Sequence, residues 1–244
     1  MYLDDIGVVR ALPQNTDLTA ELATLEGQTL DVLIGRTFFK GVGNNTICLP
    51  FSLPTLDGTP LEGGTLLAFK YGYVENGELL LRVYPAESME AGVPYLISWE
   101  DGDNIVNPIF TSVTIAAAQG KSVGENNDVQ FVGIFAPEIF PQDDKTKLFM
   151  LTNDQIAWSG VEANVANSLK SFRAYFQTNT AVGSTSSNAP IRHGMPARIV
   201  MQEQVATGME NVQGENKAVK LLENDQVVII RNGKKYNAAG QLVK

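Results

Sequence analysis

Two runs of alternating residues, Leu66 to Val74 and Glu78 to Tyr84, meet across Glu75-Asn76-Gly77, and no other feature constrains the fold of this chain as much. Asn-Gly tolerates the positive φ that a tight hairpin turn demands, so the runs are expected to pair as antiparallel strands. In the second run Leu79, Leu81 and Val83 alternate with Leu80, Arg82 and Tyr84, which makes one face apolar and the other mixed. Further strands are expected at Val93 to Trp99, Ile105 to Phe110, Val113 to Ala116, Val129 to Phe135, Lys147 to Leu151, Leu169 to Gln177 and Ala197 to Gln202, punctuated by Gly, Pro, Asn and Asp. Within Leu169 to Gln177, Phe172, Ala174 and Phe176 are assigned to the core face, and Ser171, Arg173, Tyr175 and Gln177 to the other.

Nearer the start, Leu18, Leu22 and Leu25 share one helical face. With Asp17 as cap and Gly27 as stop, one short helix is expected over residues 17 to 26. From Leu30 the period falls to two, with Leu30, Val32 and Ile34 on one side of an extended segment and Asp31 and Leu33 on the other. The expected fold class is therefore all-β. It is read as a mainly antiparallel two-sheet sandwich, with a jelly-roll order among its options, one N-terminal helix and a small C-terminal β segment. Residues 1–205 are assigned to the sandwich, the polar stretch 206–216 to a linker, and 217–244 to the C-terminal segment, whose Asn232-Gly233 is a second hairpin turn. Thr180 to Pro196, rich in Gly, Ser, Thr and Asn, reads as a loop. The terminal segment is too small for a core of its own, so it is expected to dock, to remain flexible or to serve as a tag.

Composition removes several function classes. The 244 residues are 44% hydrophobic, enough for a large core without disulfides or metal, and they include one Cys and one His. That count excludes a disulfide framework, a His/Cys-rich zinc site and any catalytic design with two histidines. A net charge of -9 argues against nucleic acid as partner, because phosphate binding needs clustered cations. No run approaches the roughly 18 to 20 apolar residues of a membrane helix. The opening Met1-Tyr2-Leu3-Asp4-Asp5 is acidic and not leader-like, which fits a cytoplasmic protein or a mature form without its leader.

Individual residues are read as follows. His193, in Pro190-Ile191-Arg192-His193-Gly194-Met195-Pro196, is assigned to a loop, and Cys48, inside a dense apolar run, to the core. Trp99-Glu100-Asp101-Gly102-Asp103-Asn104 is the most oxygen-rich turn; Asp101 and Asp103 are its weak metal candidates, but it lacks the spacing and terminal Glu of a calcium loop and is read as a solvated turn. Asp143-Asp144 is read as a loop tip. The 27 acidic residues include no pair ordered for glycoside hydrolysis, so no catalytic residue and no cofactor are assigned. Among the aromatic residues Tyr71, Tyr73, Tyr84, Tyr95, Trp99, Trp158 and Tyr175, a glycan platform is placed on Tyr71, Tyr73, Tyr84 and Trp99, because Tyr71 and Tyr73 share a strand face with Tyr84 in the paired strand.

Two stretches carry family likeness. Gly35-Arg36-Thr37-Phe38-Phe39-Lys40-Gly41-Val42-Gly43-Asn44-Asn45-Thr46-Ile47-Cys48-Leu49-Pro50-Phe51-Ser52-Leu53 resembles the Gly-Arg-Thr … Trp-Asn-Thr-Leu-Cys-Leu-Pro-Phe signature of a secreted module of gut Bacteroidales surface proteins. Asn44 stands where that family usually has Trp. The likeness continues through Met89 to Leu96, Asn107 to Phe110, Phe131 to Gly133 and Ser171 to Phe176, in the expected order. At the C-terminus, Gln226 to Val243 resembles the terminal β segment of Bacteroidetes proteins sorted by the type IX secretion machinery. These resemblances imply an exported or cell-surface protein and carry no reaction. The expected function is a non-catalytic surface module for adhesion, structure or display, with a carbohydrate-binding module of a glycan-uptake system as the alternative. Its partner would be a glycan or another surface protein, and its oligomeric state stays open.

Overall fold

A computed structural model of the chain describes residues 9–75, 78–126, 128–141, 144–151, 154–158, 168–179, 181, 195–201, 219–223, 226–231, 234–237 and 242–243. The chain divides into two compact units, Met1–Gln204 and Val205–Lys244. The first unit opens with β1 (Val9–Pro13), α1 (Thr19–Leu25), β2 (Thr29–Gly35), β3 (Thr37–Phe38) and β4 (Asn45–Cys48). The hairpin follows as β5 (Thr65–Glu75) and β6 (Glu78–Pro85), then β7 (Pro94–Ser98), β8 (Ile105–Val106), β9 (Ile109–Thr114), β10 (Ser122–Val123) and β11 (Val129–Ile134). It ends with β12 (Glu138–Ile139), β13 (Lys147–Met150), β14 (Gln155–Ala157), β15 (Ser168–Leu169), β16 (Arg173–Thr178) and β17 (Met195–Met201). The protein is all-β with one helix among the described residues.

Ten strands form one sheet in the order β10-β11-β16-β13-β14-β17-β6-β5-β7-β4. A second sheet, β1-β2-β9, and two short pairs, β3-β8 and β12-β15, complete the unit. Most pairings are antiparallel, as expected from the hairpin-rich sequence. Two are parallel: β1 with β2, and β17 with β6 in the register Ala197↔Leu79 to Met201↔Val83. Local turn chemistry carries no signal for either, because parallel neighbours cannot be joined by a tight turn.

The β5–β6 hairpin forms as expected, with Glu75 opposite Glu78; Asn76-Gly77 lies outside the described residues. Its register slips between Phe69 and Tyr71, so Lys70 is an extra, bulged residue. Apolar side chains on both faces of the hairpin are covered. Leu67, Phe69, Leu79, Leu81 and Val83 join Leu96, Val129, Phe131, Leu148, Ala174 and Phe176 in one core cluster. Phe131 and Phe176 stack at 4.4 Å, and the Phe69 ring meets them edge-on at 5.8 and 5.7 Å. On the opposite face Leu66 and Ala68 belong to a larger cluster with Leu18, which precedes α1, Leu22 of α1, Val32 and Ile34 of β2 and Phe110 of β9. Double-sided burial explains why Leu66 to Phe69 reads as a continuous apolar run.

Several expectations shift in detail. The helix begins at Thr19 with Leu18 at its cap, and Asp17 instead folds an adjacent turn by accepting from the backbone N–H and hydroxyl of Thr19 at 3.0 and 2.7 Å. Gly27 follows the helix at φ +80°, a conformation suited to glycine. The expected strand from Ile105 to Phe110 is two strands, because Asn107 turns at φ 48° and Pro108 has no N–H to donate. The expected strand from Leu169 to Gln177 is likewise interrupted. Phe172 sits at φ 65°, outside β16, and packs on Phe135 at 6.1 Å in the larger cluster rather than beside Ala174 and Phe176. The opposite side of β16 is also covered: Tyr175, 8% exposed, packs with Ile134 and Phe140 in a third cluster.

In the second unit, β18 (Val219–Glu223), β19 (Gln226–Arg231), β20 (Lys234–Asn237) and β21 (Leu242–Val243) form an antiparallel meander. The linker 206–216, the loop core around His193, and Asp143 lie outside the described residues.

Candidate functional site

The site begins with an interruption along the edge of β5. Strand β7 pairs with β5 from Thr65↔Ser98 to Ala68↔Tyr95 and starts at Pro94, so it cannot continue beyond Ala68. Farther along, the segment after β10 takes over the edge: the Glu125 N–H donates to the Lys70 carbonyl at 2.8 Å, and Asn126 Nδ2 donates to the Gly72 carbonyl at 3.0 Å. Between these two coverings lies a groove of about 400 Å³. Ala68, Phe69 and Lys70 of β5 and Tyr84 of β6 line it. Glu90, Val93, Pro94 and Tyr95 line it from the β7 side, and Val123, Gly124 and Glu125 from the end of β10 and the segment after it.

Its walls are fixed from within the fold. The Glu90 N–H donates to the Tyr95 hydroxyl at 3.1 Å, and Ala91 N–H to Ser52 Oγ at 3.0 Å. The Gly92 N–H donates to the Leu49 carbonyl at 2.8 Å, while the Gly92 carbonyl accepts from Lys121 N–H at 2.7 Å. At Gly124 a side chain has no room, since a Cβ would stand 2.7 Å from the Val129 carbonyl oxygen. Lys70 Nζ faces Glu125 Oε1 at 3.8 Å, with the lysine side chain 32% exposed and the glutamate 63%. Tyr95 is 6% exposed, and burial pushes its phenol pKa up, so it stays a neutral hydroxyl.

The four tyrosine and tryptophan candidates separate. Register places Ala68 opposite Tyr84, Tyr71 opposite Arg82 and Tyr73 opposite Leu80, so the three tyrosines share one face of the hairpin. Tyr84 lines the groove; Tyr71 and Tyr73 stand beyond the bulge and do not, and Arg82 Nη2 donates to the Tyr73 hydroxyl at 3.5 Å. Trp99 is buried at 6% exposure. Its Nε1 donates to the Glu62 carbonyl at 3.2 Å, its ring meets Phe38 at 6.2 Å, and Lys40 Nζ lies 5.6 Å over it. It offers no open ring to a ligand. Asp101 and Asp103 are exposed, and Asp101 Oδ1 accepts from the Gly102 N–H at 2.7 Å. Among the described residues no three His, Cys, Asp or Glu side chains gather as metal ligands. Trp158 is partly buried against the β5–β6 cluster.

A second polar assembly lies inside the unit, and it involves the Gly-Arg-Thr … Cys signature. Arg36, 3% exposed, donates through Nη1 to the Thr46 carbonyl at 2.9 Å and to the Phe172 carbonyl, and its guanidinium lies 4.1 Å over the Phe38 ring. Burial, reinforced by the positive charge of Arg173, pulls its pKa well below the usual arginine value. Asn45 ties the Phe39 backbone at both its N–H and carbonyl, at 3.0 and 2.8 Å. Thr46 Oγ1 accepts from the Ala174 N–H at 3.1 Å, and the Cys48 N–H donates to the Phe172 carbonyl at 3.2 Å. Cys48 is fully buried as expected; its Sγ donates to the Gly92 carbonyl at 3.2 Å, and burial drives its thiol pKa far up, which removes thiolate reactivity.

Comparison with family models, curated proteins and solved structures finds no match in any of the three. Lys70, Glu90 and Glu125 had no individual signal in the sequence. Lys70 enters the groove through a bulge, and Glu125 through a loop more than 50 residues along the chain. Glu90 and Tyr95 do fall within the Met89 to Leu96 element of the family likeness.

Proposed function

We propose that this chain is a non-catalytic module exported to the surface or exterior of a Bacteroidales cell, where it serves adhesion, structure or display. One observation carries the reading: the chemically versatile residues of the signature, Arg36, Asn45, Thr46 and Cys48, are engaged with backbone groups deep in the fold. A motif used this way maintains a scaffold and leaves recognition to the surface. The proposed scaffold is a sandwich in which β10, β11 and β16 face β4, β5 and β7 of the same ten-stranded sheet. The contacts of Phe69 with Phe131 and Phe176 support that facing. Residues 217–244 are proposed to act in sorting. Among the described residues no helix is long and apolar enough to cross a membrane.

Protease shaving of intact cells that produce the protein with its native leader tests the location. Loss of the full-length band without cell lysis is the expected result, and deletion of residues 217–244 should retain the protein inside. Protection in intact cells that becomes cleavage only after lysis would overturn the surface assignment.

A further inference from the structure

We propose that the groove between β5, β6, β7 and the Val123–Glu125 segment binds a compact neutral saccharide, a mono- or disaccharide unit. Its volume, about 400 Å³, falls within the range of small-molecule sites. Pro94 of β7 lines it, and Gly124 and Glu125 line it where the Glu125 N–H occupies the Lys70 carbonyl. The β5 edge is also already occupied on either side, at Ala68 by β7 and at Lys70 by Glu125, which leaves no room for an added strand.

The wall chemistry selects the ligand class. A sugar presents C–H faces and hydroxyls that both donate and accept. The partly exposed Tyr84 ring, with Val93 and Val123, supplies apolar surface for the C–H face. Glu90 and Glu125 accept hydrogen bonds, and Lys70 donates them. The Tyr95 hydroxyl already accepts from Glu90 N–H, which directs its own proton elsewhere. Charge excludes an anionic ligand: one ammonium stands against two carboxylates, and the ammonium already faces Glu125. Phosphate, sulfate or uronate would meet Glu90 uncompensated. Internal hydrogen bonds on the β7 side and at Glu125 keep the groove formed without ligand, which lowers the ordering cost of binding.

The test is an amide NMR titration of the full chain with glucose, galactose, mannose, N-acetylglucosamine, lactose and glucuronate. At least one neutral sugar should shift the amides of Glu90, Tyr95 and Glu125, with a Kd of about 1 mM or tighter. Tyr84→Ala and Glu90→Gln should each weaken that binding about tenfold or more, a loss of about 1.4 kcal/mol. Tyr84→Phe, which keeps the ring, should stay within a few-fold, and Tyr73→Ala, beyond the bulge, should change nothing. Glu90→Gln at an exposed position keeps the test valid if Tyr84→Ala fails to fold. Absence of groove shifts with every neutral sugar, binding that survives Glu90→Gln, or a preference for glucuronate would each overturn the proposal. The location of the chain is tested separately by protease shaving, so either result stands without the other.

Discussion

Phe172 shows how one residue can satisfy its burial while escaping its expected register. Its side chain is fully buried, but its φ of 65° turns the chain just before β16 and aims the ring at Phe135. That turn presents its carbonyl to Arg36 and to the Cys48 N–H. Among the described residues no carboxylate bonds the Arg36 guanidinium, which uses two backbone carbonyls and an aromatic face instead. For a side chain other than glycine, the left-handed region costs about 1 to 2 kcal/mol. Phe172→Ala and Phe172→Gly should therefore both destabilise by several kcal/mol, roughly 3 to 5 from lost burial, with the glycine variant equal to or about 1 kcal/mol more stable than the alanine variant. Urea unfolding of both proteins checks this. In a regular strand the order would reverse, and a clearly worse glycine variant would place Phe172 back in the β16 register.

At the scale of elements, a small charge cluster marks the entry to β13. Asp144 Oδ1 accepts from the Thr146 hydroxyl and N–H at 2.6 and 2.9 Å, which holds its carboxyl below the usual 3.8. Lys147 Nζ contacts Glu138 Oε1 at 2.5 Å and lies 5.5 Å over Tyr175, and the Glu138 bond raises the ammonium above 10.5. Signs follow from linkage. The Asp144 contribution is present above its unfolded pKa and fades as pH falls from about 4 through the depressed folded value. The Lys147 contribution is present below its unfolded pKa and fades as pH rises through the elevated folded value. Asp144→Asn should flatten the acid limb of a stability–pH profile, and Glu138→Gln the alkaline limb. Each change should stay below about 1 kcal/mol, because these groups remain partly in water. Chemical denaturation at acid, neutral and alkaline pH provides the measurement; an unchanged acid limb in Asp144→Asn would remove the turn from this account.

For the whole molecule, the first unit holds all three described core clusters, while the second is a four-stranded meander within Val205–Lys244. Removal of residues 205–244 should leave a cooperative thermal transition within a few degrees of the full chain, as read by circular dichroism. A drop of more than about 10 °C, several kcal/mol for a unit of this size, would show that the tail supports the main core. By itself the sequence determined the strand-rich class, the β5–β6 hairpin, the helix near Leu22 and the burial of Cys48. Each of these depends on local periodicity or on a residue's own preference, which neighbouring residues reveal. Only the tertiary structure decided that β17 runs parallel beside β6, that Trp99 is closed beneath Lys40, and that Tyr84 meets Lys70, Glu90 and Glu125 around a groove. Alternation assigns side chains to two faces but does not say what covers either face; a single bulged residue and a distant loop settle that, and neither has a period to read.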